Sequence, residues 1–205
     1  MPAIPWPRQK LPRYLTQGEV RDFFATISSV RDRALFALMY HHGLRVGEVL
    51  LLTRDDVDFE RGRLLVRRLK RGAWSEQVLF EGTAAILRAY LETRALSPAD
   101  PLFPGQNGPL KRRRIQWLFG RYRDRAGLAR HYTSHSLRHS IATHLLDAGM
   151  TLEFVQDHLG HQDIRSTSVY ARISDRHRAA AFRRLQSSPW IVQPDALPRQ
   201  RSTNP

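Results

Sequence analysis

SHSLRHSIATHLLDAGMTLEFVQDHLGHQDIRSTSVYAR, residues 134–172, holds two helical segments, a glycine break between them and a tyrosine near its end. Leu137, Ile141 and Leu145 recur every four residues and mark one apolar stripe of a helix. His135 and Arg138, three apart, share a face at that helix's start. Gly149 is placed to end it. Leu152, Val155 and Leu159 predict a second amphipathic helix that stops at Gly160; His161 follows at once, and Tyr170 lies nine residues further on. Each feature alone has a plain reading. His-x-x-Arg is a polar helix face, Leu-Gly-His is a helix cap, and a tyrosine is a core or rim residue. The information lies in their order and spacing.

That order, His135-x-x-Arg138, then Leu159-Gly160-His161, then Tyr170, resembles the carboxy-terminal signature of the tyrosine recombinases, the phage integrase family. The resemblance implies a nucleophile, Tyr170, and a set of cations and hydrogen-bond donors around a phosphodiester. Phosphoryl transfer is catalysed mainly by positioning and charge stabilisation, so arginine and histidine suit it. Arginine can also hold two phosphate oxygens in one fork. Upstream, Gly43-Leu44-Arg45 with Glu48 three residues on reads by itself as a capped helix with a surface ion pair. It also resembles the family's first-arginine motif, about ninety residues ahead of His-x-x-Arg. His41 and His42 carry no motif and receive no role.

Elementary composition agrees with a polyanionic partner. The chain has 205 residues, a formal net charge of +14 and no cysteine. Such an excess of cations favours nucleic acid, from which it releases counterions. No apolar run approaches the ~18 residues of a spanning helix, and the start lacks a signal peptide's apolar segment. The lack of cysteine excludes disulfides and thiolate metal sites and fits a cytoplasmic location. Only Lys10, Lys70 and Lys111 are lysines, so 33 − 3 = 30 of the basic residues are arginine.

Thr16 and Glu19 predict a capping box, with Leu15 and Val20 as its hydrophobic staple. The helix that follows carries Phe23, Phe24 and Ile27, and a second buries Ala34, Leu35, Leu38 and Met39. Residues 55–79 are the strand-rich stretch: 57–59, a turn at 60–62, 63–67, a turn at 69–72 and a return at 77–80. Residues 83–96 read as a core helix. Residues 97–109 read as a surface loop in which Leu102-Phe103 docks. Residues 110–127 form a basic helix, with Ile115, Leu118, Phe119 and Tyr122 inward and Lys111, Arg112, Arg113 and Arg114 offered to a DNA backbone. A further helix is expected over 175–185, packing on a neighbouring protomer.

The expected fold is mainly α with a small antiparallel β-sheet, the tyrosine recombinase catalytic-domain fold. Residues 1–13 form a basic arm, 14–187 the catalytic domain and 188–205 a disordered tail. The resemblance implies metal-free, ATP-free strand exchange through a 3′-phosphotyrosyl intermediate at Tyr170. Arg45 and Arg138 hold the non-bridging oxygens, His161 donates to one, and His135 positions the phosphate and manages the Tyr170 proton. Lys70 protonates the leaving 5′ oxygen, Glu48 supports Arg45, and Arg71 contacts DNA. No cofactor and no metal are expected. The partners are double-stranded DNA with specific recombination sites and further copies of the chain, a dimer or tetramer on DNA, with no membrane. Arg68-Leu69-Lys70-Arg71-Gly72 and Tyr14-Leu15-Thr16 look like the small fimbrial-switch recombinases, which lack the family's amino-terminal core-binding domain. Type IB topoisomerase-like relaxation and a non-catalytic DNA-binding relative are the alternative readings.

Overall fold

The computed structural model describes residues 12–68, 74–105, 108–160 and 170. Most of the 1–13 arm, the turn bearing Lys70 and Arg71, His161, the 175–185 segment and the 188–205 tail lie outside the described residues.

Thr16 caps α1 (Gln17–Ala25) through the capping box expected of it: its hydroxyl accepts from the Glu19 amide, and Glu19 returns to the Thr16 amide at 2.8 Å. Helix α2 (Val30–His41) is buried on more than one face. Ala34 to Met39 are all sequestered, because α2 runs through the middle of the domain and packs on both α4 (Glu81–Glu92) and α6 (Ser134–Asp147). An aromatic cluster of Phe23, Phe36, Phe119 and Tyr122 joins α1 and α2 to α5 (Arg112–Arg125), with Phe23 and Phe119 centred 5.0 Å apart. Such pairs contribute ~0.5–1.5 kcal/mol each beyond their buried area. They fix α5 so that its arginines face outward.

The sheet is three-stranded and antiparallel, in the order β1 (Val57–Asp58), β2 (Arg63–Arg67), β3 (Trp74–Val78). Leu64 and Val66 point inward while Arg63, Leu65 and Arg67 point out, the period of two that a half-buried strand requires. The returning strand begins at Trp74, three residues before the expected 77. Arg67 pairs with Trp74 across the turn, and Phe80 is taken as the N-cap of α4. Leu102 docks as expected, its amide donating to the Leu52 carbonyl at 2.8 Å.

Helix α6 is capped by Thr133, and α7 (Leu152–Leu159) ends at Gly160 in the left-handed conformation, φ 61°. Leu146, buried, joins Ile141 in the inward stripe of α6, and Leu145 lies half-exposed beside it. Between α6 and α7 a second core cluster forms from Ile141, Ala142, Leu146, Val155, Leu159 and Tyr170. No helix among the described residues is long and apolar enough to cross a membrane.

Candidate active site

Gly43 turns the chain from α2 into the short helix α3 (Val46–Val49) at φ 59°, a conformation that favours glycine. A Cβ there would approach Leu159 to 2.5 Å, so this turn sits directly against the end of α7. Arg45 is the N-cap of α3. Its amide donates to Glu48 Oε2 at 2.8 Å and its guanidinium to Oε1 at 2.9 Å, while about a third of its side chain stays exposed.

Glu48 is completely buried, and three guanidiniums surround it. Besides Arg45, Arg68 Nη1 lies 3.5 Å and Arg138 Nη1 3.9 Å from Oε2. Arg138 enters from α6 and is 1% exposed. Its two terminal nitrogens donate to the backbone carbonyls of Gly43 and, at 2.6 Å, Leu159. Burial first, then Arg45, press the Arg138 pKa down to about 9, against the pull of Glu48; it remains a cation at neutral pH. Arg68 is also buried. It donates to Ser75 Oγ at 2.9 Å and to the His158 carbonyl at 3.3 Å, where Gln77 of the adjacent strand donates too. A Cβ at Gly160 would collide with Arg68, so the sheet and the end of α7 are interlocked.

Tyr170 is 2% exposed, and its ring completes the second core cluster. Its hydroxyl lies 2.7 Å from Nδ1 of His139. His135 keeps solvent exposure at the head of α6, and its ring meets that of His139 edge-on at 4.5 Å. Partial burial, followed by Arg138 and Arg45, lowers the His135 pKa, Glu48 opposing. Burial raises the Tyr170 pKa, while Arg138 and Arg45 draw it down.

The structure therefore brings together Arg45, Glu48, His135, Arg138 and Tyr170. Lys70, Arg71 and His161 are outside the described residues. Sequence reading passed over Arg68 and His139, and both had a signal. The inward alternation Leu64, Val66 continues to position 68, and His139 lies one helical turn beyond His135. His41 and His42, left without a role, belong to the scaffold: His41 bonds Thr83, and His42 bonds Gln77 and stacks on Phe80.

A cavity of about 450 Å³ opens beside Arg45 and His135, its other wall built by Arg112, Gln116 and Arg123 of α5. Lys111, Arg112, Arg113 and Arg114 are exposed at the amino end of α5. Four cations at the positive pole of a helix oppose its macrodipole, and a phosphate there relieves the conflict. Further along the helix Trp117, 48% exposed, lies between Arg114 and Arg121, whose guanidiniums are 4.2 and 5.3 Å from its ring centre. A cleft of this shape and charge is suited to hold a phosphodiester.

Comparison with known proteins gives the same direction. Residues 13–177 match the phage integrase family profile. Tyrosine recombinase XerA of Thermococcus onnurineus is 37% identical over 186 residues, which cover 86% of this chain and 62% of that protein. Tyrosine recombinase XerC of Xylella fastidiosa is 35% identical over 181 residues, covering 85% and 60%. This chain thus spans about three fifths of the length of these relatives. Among solved structures, XerA recombinase aligns with a TM-score of 0.76 at 26% identity, over 90% of this chain and 67% of that one. XerH site-specific recombinase, in a post-cleavage complex with palindromic difH substrate, aligns at 0.74 and 27% identity, over 86% and 54%. With the family profile matching most of the chain, the chain belongs to the phage integrase family.

Proposed function

We propose that this chain is a site-specific DNA recombinase that cuts and rejoins DNA through a 3′-phosphotyrosyl intermediate at Tyr170, without metal or ATP. The observation that carries this reading is the convergence of Arg45 and Arg138 on one buried carboxylate, the same two guanidiniums that draw on the Tyr170 phenol. Glu48 aims the Arg45 fork, and the two guanidiniums neutralise the non-bridging oxygens as charge builds on phosphorus. His135, exposed at the cleft, meets the phosphate. His161 as a further donor and Lys70 as the acid for the leaving 5′ oxygen follow from the family resemblance. Arg71 and Lys111 to Arg114 contact the DNA backbone. The partners are double-stranded DNA carrying specific recombination sites and further copies of the chain, a dimer or tetramer on DNA. The reaction takes place in the cytoplasm, at the nucleoid.

The test is a nicked duplex that loses its 5′ product after cleavage and so traps the covalent complex. Wild-type protein forms an adduct, and peptide mapping puts it on Tyr170. A two-site substrate then yields exchanged products. Relaxation of a plasmid without exchange would point to topoisomerase-like chemistry, and no adduct at all would reduce the chain to a DNA-binding relative.

A second expectation concerns Arg45. Arg45→Ala lowers the single-turnover cleavage rate by about 10²–10³-fold, the effect of losing one oxyanion donor. The DNA dissociation constant moves little, since many other arginines contact the backbone. A parallel fall in rate and affinity, read by gel shift beside cleavage, would make Arg45 an ordinary phosphate anchor.

A further inference from the structure

We propose that His139 is the group that takes the phenolic proton of Tyr170 during strand cleavage. The proposal rests on the recombinase reading above and moves to His139 the Tyr170 proton that the family resemblance gives to His135.

Geometry comes first. His139 Nδ1 and the Tyr170 hydroxyl are 2.7 Å apart, within reach of direct proton transfer. Tyr170 is 2% exposed and embedded among Ile141, Leu146, Val155 and Leu159, so bulk water is kept from it and a side chain in direct contact is well placed to be the acceptor. Among the described residues, His139 is the hydrogen-bonding partner of that oxygen. Its ring is packed edge-on by that of His135, 4.5 Å away between centres. Arg138, its neighbour in sequence, is one of the two guanidiniums that the recombinase reading assigns to the phosphate, so on that reading α6 carries phosphate clamp and proton acceptor side by side.

Charge keeps the acceptor ready. Burial first, then His135 and Arg138, press the His139 pKa down to about 4, so the ring is neutral at physiological pH. With its proton on Nε2, Nδ1 offers a lone pair to the phenol. Among the described residues, the other charged groups facing this corner are Arg45 and Arg138, which favour phenolate, and Glu48, which they balance.

A ring this weakly basic does not ionise the phenol in the resting enzyme. The transfer is concerted with attack, when the oxygen becomes an ester oxygen and its proton turns strongly acidic. The Tyr170 Oη–P bond forms as the P–O5′ bond breaks. The phenolic proton passes to His139 Nδ1, and the 5′ oxygen takes its proton from the general acid. On rejoining, an incoming 5′-hydroxyl attacks phosphorus and gives its proton back to the deprotonated general acid, the P–Oη bond breaks, and His139 returns its proton to the tyrosine. Nothing is consumed.

The experiment is single-turnover cleavage of the nicked duplex by the full chain. His139→Ala lowers the rate on the order of 10²–10⁴-fold at pH 7, the usual range for a lost general base. Its remaining rate climbs about tenfold per pH unit as the phenol ionises unaided. Placing 3,5-difluorotyrosine at position 170, which makes the phenol more acidic, restores the variant more than tenfold while changing the wild-type rate little. His139→Gln, which keeps a polar side chain of similar reach without a titratable ring, is equally slow, and serves if the alanine variant fails to fold. Cleavage by His139→Ala or His139→Gln within about threefold of wild type overturns the proposal. So does a loss that neither pH nor the fluorinated tyrosine relieves, since that marks a merely structural role. If wild-type protein itself forms no adduct, the recombinase reading fails instead, and the two failures are distinct.

Discussion

Tyr170→Phe is expected to abolish covalent attachment to DNA while leaving fold and DNA affinity nearly unchanged. The ring is the packing unit, filling the cluster of Ile141, Ala142, Leu146, Val155 and Leu159, and phenylalanine fills the same space. What disappears is one hydroxyl and its bond to His139, a stability loss of about 1 kcal/mol. Chemistry loses everything, because neither Tyr122 nor Tyr132 is comparably placed. Tyr122 donates to the Asp32 carboxylate at 2.7 Å; burial and that carboxylate push its pKa up to about 12. Tyr132 bonds Glu19 at 3.1 Å, and its pKa is likewise raised, by burial and then by Glu19. Only Tyr170, of these three, has guanidiniums pulling toward phenolate from among its largest influences without an opposing carboxylate. Denaturing gels of the trapped complex decide the matter, with gel shifts as the binding control. A persistent adduct that maps to Tyr122 or Tyr132 would remove Tyr170 from the mechanism.

Glu48→Ala is expected to cost about 3–5 kcal/mol of stability, the range for breaking a buried ion pair by removing one partner. That corresponds to a fall in Tm of roughly 6–20 °C for a chain of this size. The carboxylate is fully buried and holds Arg45, Arg68 and Arg138, two of which are themselves sequestered. Without it, Arg138 and Arg68 are left as neighbouring buried cations, with Asp157 the remaining carboxylate that acts on Arg68. Arg45 also loses the bond that aims it, so cleavage falls with stability. A double variant separates the causes: adding Arg68→Met to Glu48→Ala recovers part of the lost Tm, because one of the stranded cations is gone. A Tm within 3 °C of wild type for Glu48→Ala, by thermal denaturation, would mean that water or a rearranged side chain already compensates these cations.

The features visible in the sequence were those whose cause is local. The capping box at Thr16, the glycine stop after Leu159 and the Arg45–Glu48 pair each involve residues within four positions of one another. Arg138 and Tyr170 were singled out by a family resemblance that their order and spacing carry, although the carbonyls that hold Arg138 belong to Gly43 and Leu159, 95 and 21 residues away. His139 and Arg68 depend on distant partners, at 31 residues to Tyr170 and 90 to His158. An arginine among Arg67, Arg68 and Arg71 looks like one more solvated cation until the strand's alternation is carried one step further. The onset of β3 was misplaced for a related reason. Exposed Trp74 and the mixed residues after it give no clean alternation, and pairing with β2 decides where the strand begins.

Arg138 has a consequence for how relatives of this chain are to be judged. Its fork ties the turn before α3 to the last carbonyls of α7, so it would be retained by a descendant that had given up chemistry but still needed to fold. An arginine at this position is therefore weak testimony of activity. The hydroxyl of Tyr170 is different: the packing it sits in would accept phenylalanine at little loss, and drift would erase it once cleavage ceased to matter. In a collection of such chains, the phenol opposite His139 separates working enzymes from retired ones better than the arginine beside it.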